Sequence, residues 1–203
     1  MSEIQNPTNF CIEPYFFLKM YAKNRTLQRL HTRIHLEESW GEKWKALSET
    51  DRMTGLSDRV SGERMVDELL KSGHSGMFIE ADIDRFKSIN DTYGHQTGDL
   101  VIQAVADALR ATFRSNDIMI RLGGDEFCVY AVGINDREMG QAIISRLFER
   151  VQRIQVEGFP SGRISISTGA VIHTEKDEAS FAELYACADR AMYRSKNIRG
   201  NSL

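Results

Sequence analysis

The chain has 203 residues, of which 41% are hydrophobic and 27% are charged, as expected for one soluble domain of ~150 residues with an extension. Its net charge of -3 gives no overall basic field, which argues against nucleic acid as a partner and leaves anionic ligands to local clusters of charge. Cys11, Cys128 and Cys187 lie far apart, and no stretch predicts a membrane span or signal peptide, so we expect a cytoplasmic protein with free thiols.

The first fifty residues carry an amphipathic helical pattern. Between positions 15 and 47 most apolar residues recur three, four or seven positions apart, which predicts one or two helices. Their apolar stripe either packs on the domain that follows or pairs with a second subunit, and the sequence leaves both open. Because fifty residues are too few for a typical further domain, we predict a helical segment over residues 1–50 and one globular domain over 51–203.

The first half of this domain alternates helical and extended patterns. A glycine-containing turn at Thr54-Gly55 precedes a predicted helix over residues 63–71. Residues 77–84 alternate, with Ile83 and its apolar companions on one face and Asp82 on the other, which predicts a strand whose end presents carboxylates. An apolar stripe over residues 101–113 then predicts a helix that faces the core.

A hairpin is predicted in the middle of the domain. Two apolar runs, residues 118–122 and 127–130, flank the pair Gly123-Gly124, which favours a tight turn because glycine readily takes positive φ. Asp125 and Glu126 lie at its tip. They offer hard oxygen ligands for Mg²⁺ or an acid and base pair, or they are solvated acids on a surface turn.

The second half continues in the same manner. Asn135 with Glu138 predicts an N-cap for a helix whose buried face extends to Ile154. Residues 163–171 alternate as a half-buried strand, and the capping box of residues 180–183 opens a last helix. The order of elements after the leading helix is therefore β-α-β-β-α-β-α, which predicts an α+β fold with helices on a mostly antiparallel sheet.

Three motifs resemble those of one known family. The heptad Arg-Leu-Gly-Gly-Asp-Glu-Phe at 121–127 would arise by chance with a probability on the order of 10⁻⁷, and it matches the signature of the GGDEF family of diguanylate cyclases. Residues 51–56 resemble the family's Asp-x-Leu-Thr-Gly-Leu, with Met53 in place of Leu and Asp58 in place of a following Asn. Residues 82–99 resemble a further block of the family.

The resemblance implies a fold, a reaction and partners. The fold is ferredoxin-like, similar to adenylyl cyclases and polymerase palms. The reaction condenses two GTP into cyclic di-GMP with release of two pyrophosphates, and it depends on Mg²⁺, with Mn²⁺ as an alternative. Because each domain binds one GTP, catalysis requires a homodimer.

The resemblance also assigns roles to the acidic residues. Asp82, Asp125 and the backbone carbonyl of Ile83 align with metal ligands. Glu126 aligns with a residue that either binds the second metal or helps to deprotonate the attacking hydroxyl, so Asp125 and Glu126 are the predicted catalytic pair. Their placement at a strand end and a hairpin tip predicts that the carboxylates lie together.

Substrate-binding residues follow from the same resemblance. Asn90 and Asp99 align with residues that recognise guanine, although an Asn in a turn and an Asp at a helix start are the ordinary alternatives. Phe86, Lys87 and Lys196 align with residues beside the triphosphate. The family closes with Lys-x-x-Gly-Arg-Asn, whereas here Arg199 precedes Gly200, so Arg199 would reach the phosphates from one position earlier.

Further residues have a less specific signal. Arg114 and Asp117 match the family's Arg-x-x-Asp site for inhibition by cyclic di-GMP in spacing from the hairpin, with a solvated pair at a helix end as the alternative. His95 is expected to be held structurally, and Arg121 either touches substrate or braces the hairpin. A silent module that binds GTP or cyclic di-GMP as a regulator is the alternative to an active cyclase. A cyclase of other specificity is disfavoured by Asp99.

Overall fold

A computed structural model describes residues 49–160, 163–175 and 177–200, with side chains described up to residue 194. The elements in chain order are α1 Arg59–Lys71, β1 Gly76–Ile83, α2 Phe86–Tyr93, α3 His95–Thr112, β2 Ile118–Gly123, β3 Glu126–Val132, α4 Arg137–Gln152, β4 Ile166–His173 and α5 Phe181–Gly200. The predicted N-terminal helix lies outside the described residues, and the division into 1–50 and 51–203 stays a prediction.

The four strands form one sheet in the order β2-β3-β1-β4. Every neighbouring pair is antiparallel. In this register Asp82 of β1 stands opposite Glu126 of β3 on one side and Ser167 of β4 on the other. The predicted α+β fold with helices on an antiparallel sheet is confirmed.

Helices cover both faces of this sheet. On one face Ile79 and Ile83 pack with Leu109 of α3 and Leu147 of α4 in the larger core. On the other face Phe78 and its neighbours pack with residues of α1 and α5. The alternation predicted for β1 is present, and helices cover its second face as well as its first. Even Glu80 on that face is only 2% exposed.

The boundaries of several elements differ from the sequence prediction because of local capping. Helix α1 begins at Arg59, four residues early, since the Asp58 carboxylate accepts the Ser61 N–H at 2.8 Å. Asp136, rather than Asn135, caps α4 by accepting the Glu138 N–H at 3.1 Å. The predicted capping box of α5 is confirmed, with the Ser180 N–H donating to Glu183 at 2.9 Å.

Two further differences concern the number of helices and the ends of β4. Between β1 and β2 one helix was predicted, over residues 101–113, but two are present, α2 and an α3 that already begins at His95, with Gly94 at φ 85° between them. Strand β4 begins at Ile166 rather than Arg163 and continues to His173. In the middle of β4, Gly169 meets α5 so closely that an added Cβ would lie 1.9 Å from the Ala188 carbonyl oxygen. Glycine at this position therefore lets the α5 backbone pack directly on the sheet.

The segment before α1 extends the sheet by one residue. The Ser57 N–H donates to the Met119 carbonyl, and the Arg121 N–H donates to the Ser57 carbonyl, both at 3.0 Å. Ser57 thus forms a short parallel bridge along the edge of β2.

Two predictions from composition can be compared with the described residues. Cys128 is a buried free thiol and Cys187 is a half-buried one, as predicted, while Cys11 lies outside the described residues. No helix within the described ranges has the length and apolar character needed to cross a membrane.

Candidate functional site

The predicted hairpin is present and its turn depends on glycine. Gly123 and Gly124 have φ of 147° and 55°, which side chains with a Cβ rarely adopt. The register breaks between Arg121 and Gly123, so that Gly123 pairs with Glu126. This turn leaves Asp125 half-buried and Glu126 exposed at the tip.

The end of β1 lies beside this tip. Asp82 pairs with Glu126 across the two strands, and the Ile83 N–H donates to the Asp125 carbonyl at 3.3 Å. Directly opposite side chains on neighbouring strands have Cβ atoms about 5 Å apart, so two carboxylates there repel unless a cation lies near them. Asp82 and Glu126 are the two predicted carboxylates that the register places directly opposite one another.

The three predicted carboxylates do not by themselves form a metal site in the described part of the chain. Nowhere in the described ranges do three or more His, Cys, Asp or Glu side chains lie in positions that could hold a metal ion. Mg²⁺ commonly uses one or two protein carboxylates, with phosphates and waters as its other ligands. The donor set of Asp82 and Glu126, with backbone oxygens of residues 83 and 125 nearby, fits such a metal when it arrives with a polyphosphate.

Arg121 braces the hairpin from below its tip. One guanidinium nitrogen donates to both carboxylate oxygens of Asp51, each at 3.1 Å. The two other nitrogens donate to the Gly124 carbonyl at 3.1 and 2.8 Å. Of the two roles predicted for Arg121, the structure shows the bracing one, and its side chain is only 10% exposed.

Asp51 is a residue whose role the sequence did not reveal. Its carboxylate also accepts the Thr54 N–H at 2.8 Å and the Thr54 hydroxyl at 2.7 Å. Partial burial favours the neutral acid, but the hydrogen bonds from Thr54 and Arg121 outweigh it and hold the pKa of Asp51 below its ordinary value. The Asp-Arg-Met-Thr-Gly-Leu segment was the signal that could have identified this anchor.

Asn90 and Asp99 lie on the two helices that meet at Gly94. The Oδ1 atom of Asn90 is buried and has no hydrogen-bond partner among the described residues. A Cβ at Gly98 would lie 1.9 Å from that oxygen, so glycine leaves room for the amide. A buried acceptor without a donor costs free energy, which is the state expected of a group that waits for a ligand donor.

The ordinary alternatives for these two residues do not hold. Asn90 lies inside α2 and is not a turn residue. Asp99 is exposed and follows Gly98, and the first turn of α3 contains no acid.

The amino end of α2 lies one helical turn before Asn90. Arg85 precedes it in a left-handed conformation, with φ 57° and ψ 30°, and no side chain caps the helix. Uncapped N–H groups and the helix dipole favour an anion there. Phe86 packs against the core and Lys87 is exposed. Lys196 and Arg199 lie in α5, but their side chains are outside the described ones, so their contacts stay predictions.

The predicted inhibitory pair lies in the loop between α3 and β2. Asp117 accepts the Arg114 N–H at 2.7 Å and the Val132 N–H at 3.0 Å. The Asp117 carboxylate therefore holds the loop and is not merely solvated, as the alternative reading had it. The Arg114 side chain is exposed. Inhibition through this pair stays a prediction. His95 is exposed at the start of α3, and its side chain forms no hydrogen bond with the described residues that would show the predicted structural role.

A cavity of about 770 Å³ opens beside Asp82 between α2 and the start of β4. Its walls include Asp84, Arg85, Tyr93, Phe159 and Arg163. The Asp84 carboxylate accepts the hydroxyls of Ser165 at 2.6 Å and Ser167 at 2.5 Å. Sequence reasoning missed this cavity because its walls come from segments about eighty residues apart.

Comparisons with known proteins identify the family of this chain. Residues 48–202 match the model of the family described as diguanylate cyclase, GGDEF domain. The chain is 37% identical over 156 residues to the probable diguanylate cyclase DgcJ of Escherichia coli K12, covering 75% of this chain and 30% of DgcJ. It is 33% identical over 166 residues to the diguanylate cyclase DgcP of Pseudomonas aeruginosa, covering 80% of this chain and 24% of DgcP.

Solved structures give the same result. The coiled coil and GGDEF domain of DgcB from Caulobacter crescentus, in complex with c-di-GMP, superposes with a TM-score of 0.68 at 26% identity, over 91% of this chain and 95% of that one. A sensory box/GGDEF family protein from the same organism superposes with a TM-score of 0.63 at 32% identity, over 73% of this chain and 98% of that one. The chain spans less than a third of the length of DgcJ and DgcP. By its motifs, its sheet and these matches, the chain belongs to the GGDEF domain family of diguanylate cyclases.

Proposed function

We propose that this domain is an active, magnesium-dependent diguanylate cyclase that condenses two GTP into cyclic di-GMP and two pyrophosphates. The observation that carries the proposal is the register pair of Asp82 and Glu126 at the end of the central strand. Two carboxylates opposite one another favour a divalent cation between them. The family membership and the intact Gly123-Gly124 turn support the same function.

Different side chains would bind the guanine base and the phosphates of GTP. Asp99 would accept from the N1–H and N2–H edge of guanine, and the buried Oδ1 of Asn90 would accept one further N–H. Adenine lacks that pair of donors and would leave Asp99 unpaired, so GTP is preferred. The amino end of α2, with Phe86, Lys87 and the predicted Lys196 and Arg199, would bind the phosphates.

The acids act at the reacting end of the nucleotide. Asp82, Asp125, Glu126 and the Ile83 carbonyl would hold Mg²⁺, with Mn²⁺ as a substitute, and the bound metal supplies charge neutralisation and activation of the 3′-hydroxyl. Glu126 is exposed at the hairpin tip, where it can also take the proton of that hydroxyl. The Arg121 brace joins Asp51 to the Gly124 carbonyl and would hold the hairpin tip in place while the second GTP approaches.

The reaction needs two copies of the domain. Each copy presents one half-site, so the 3′-hydroxyl of each GTP attacks the α-phosphorus of the GTP held by the other copy, and a homodimer forms at least during turnover. The N-terminal segment of residues 1–50 would raise the local concentration of the second half-site. Sedimentation of the full chain at micromolar concentration tests the role of this segment, and a chain that stays monomeric at that concentration would contradict it.

A silent domain that binds GTP or cyclic di-GMP as a regulator is the second candidate. The observation that favours it is that the DgcB structure similar to this chain is a complex with c-di-GMP. Arg114 and Asp117 would bind the same product and inhibit an active enzyme.

One experiment separates the two candidates. The purified chain is incubated with GTP and Mg²⁺ and the products are identified by mass, with ATP in a parallel reaction. Cyclic di-GMP and pyrophosphate in a ratio of one to two support the cyclase. Binding of GTP without any product supports the regulator, and equal use of ATP contradicts the assignment of Asp99.

A further inference from the structure

The last residue of β4 is a buried histidine at the end of the sheet that lies away from the candidate site. His173 pairs with Gly76 at the start of β1, and Asp82 lies near the other end of that strand, about 20 Å away. Only 2% of the surface of His173 is exposed. A buried imidazole needs hydrogen-bond partners for both ring nitrogens, so the partners of this ring decide which protonation state it favours.

Each ring nitrogen of His173 faces an oxygen atom. Nε2 lies 2.9 Å from the carbonyl oxygen of Asp177, and Nδ1 lies 3.3 Å from the phenol oxygen of Tyr130. That phenol donates its own hydrogen to the His74 carbonyl at 2.7 Å. These four residues form a histidine latch, which joins the loop after β4 to strand β3 and to the turn after α1.

A count of protons shows which form of the ring fits the latch. A carbonyl oxygen can only accept, so Nε2 carries a proton toward Asp177, and the single phenol proton of Tyr130 is used on His74. The contact between Nδ1 and the phenol oxygen is then a hydrogen bond only if Nδ1 also carries a proton. The doubly protonated imidazolium satisfies all three contacts, whereas the neutral ring leaves two lone pairs facing one another.

The surroundings of the ring are compatible with a positive charge. Burial raises the pKa of Tyr130 to about 12, so the phenol keeps its proton at neutral pH. Hydrogen bonds from the Thr174 N–H and hydroxyl, together with the nearby His173, hold the pKa of Asp177 below its ordinary value, so the loop carries a carboxylate. Acids outnumber bases among the other described titratable groups of the surrounding elements, which are Asp67 and Lys71 of α1, His74, Glu175, Glu178 and Glu183.

We propose that the histidine latch is a pH-sensitive switch, in which protonated His173 fastens the loop between β4 and α5 to β3 and to the turn after α1. Histidine ordinarily changes its charge between pH 5 and pH 8. Loss of the Nδ1 proton removes the bond to Tyr130 and turns the bond to Asp177 into a neutral one, which is about half as strong.

The latch is connected to the docking of α5. The Phe181 N–H, at the start of α5, donates to the Asp67 carboxylate of α1 at 2.8 Å. A loop that is released from Tyr130 would therefore also loosen the start of α5 on α1. The switch is independent of whether the domain makes cyclic di-GMP.

Nuclear magnetic resonance of the full chain with isotope-labelled histidine tests the protonation state directly. The ring nitrogen shifts report which nitrogens carry protons, and the signals that disappear in His173→Gln identify His173. We expect both nitrogens of His173 to carry protons in the folded protein at pH 5.5, and Nδ1 to have lost its proton at pH 8.5. Burial without the latch would keep the ring neutral at pH 5.5, so a neutral ring at that pH overturns the proposal.

Urea denaturation at pH 5.5 and pH 8.5 measures what the proton contributes to stability. The latch binds the second proton more firmly than the unfolded chain does, so its contribution is present at acidic pH and is lost as the pH rises through the range in which histidine titrates. We expect the folding equilibrium constant of the parent, divided by that of His173→Gln, to be about tenfold or more larger at pH 5.5 than at pH 8.5. Other titrating groups are shared by both proteins and cancel in this ratio.

Two further variants complete the test. Tyr130→Phe keeps the buried ring but removes the acceptor for Nδ1, so it should lose the same pH dependence, and it replaces His173→Gln in the comparison if that variant does not fold. His95→Gln is the matched control, because His95 is an exposed histidine at the start of α3, and it should keep the parental pH dependence. A ratio that does not change with pH, a parental pH dependence in Tyr130→Phe, or an equal loss in His95→Gln overturns the latch.

Discussion

Replacement of Glu80 by Gln is expected to stabilise the protein at alkaline pH. Glu80 lies in the middle of the central strand, between Cys128 and Gly169, and is 2% exposed. Its Oε2 atom has no hydrogen-bond partner among the described residues. Burial above all, with repulsion from Asp189 and other acids, raises the pKa of Glu80 to about 7, against a hydrogen bond from Tyr185 that lowers it.

The pKa gives the sign and the size of the effect. Below the ordinary value of 4.5 both the folded and the unfolded chain carry the proton, so Glu80 costs nothing. As the pH rises from 4.5 towards about 7 only the unfolded chain loses it, and the free energy of unfolding falls. The full cost above that range is about 3 kcal/mol, which Gln avoids because it has no proton to lose.

Urea denaturation of parent and variant between pH 5 and pH 8.5 measures this difference. We expect nearly equal unfolding free energies at the acidic end and a more stable Glu80→Gln protein at the alkaline end. Glu68→Gln is the control, because Glu68 is an exposed partner of Arg64 on α1 and should matter by less than ~1 kcal/mol at every pH. If the unfolding free energy of the parent at pH 8.5 equals or exceeds that of Glu80→Gln, the raised pKa of Glu80 is refuted.

Three other predictions concern the site. Asp82→Asn should keep the fold by circular dichroism and reduce cyclic di-GMP synthesis ~10³-fold or more, and near-parental turnover would exclude Asp82 as a ligand. Gly98→Ala should displace the Asn90 amide and weaken GTP binding at least ~10-fold. The temperature of thermal unfolding should change little, because Ala favours the helix by up to ~1 kcal/mol. GTP affinity equal to that of the parent would argue against a role of Asn90 in binding GTP. Arg121→Lys should lower the unfolding free energy by about 1–3 kcal/mol, because Lys cannot bind Asp51 and the Gly124 carbonyl together. An unchanged midpoint of urea denaturation would show that the Arg121 contacts are not needed for stability.

Local patterns were sufficient to predict the sheet and the hairpin. Alternation with a period of two identified β1, and a glycine pair between apolar runs identified the turn at Gly123-Gly124. The start of a helix was predicted wrongly where two neighbouring residues could each serve as its N-cap. Asn135 and Asp136 are both good N-caps, and only the backbone geometry decides that Asp136 accepts the N–H of Glu138.

Features that depend on distant segments could not be predicted. The second face of β1 is buried because α1 and α5 pack on it, which no alternation within the strand reveals. The cavity combines α2 with the start of β4, so Arg85 and Arg163 did not stand out in the sequence. Asn90 and Asp99 were found through family resemblance, but the orphaned oxygen of Asn90 and its contact with Gly98 required coordinates.

The bridge made by Ser57 has a practical consequence for how the domain is isolated. An unpaired strand edge is a template on which a second chain can add, and here one residue from outside the main elements occupies part of the β2 edge. A fragment that starts at Arg59 would uncover the Met119 carbonyl and the Arg121 N–H, and it would also lose Asp51 from the hairpin brace. Such a fragment is expected to self-associate through β2, so any trimmed version intended for solution work should begin before Glu49.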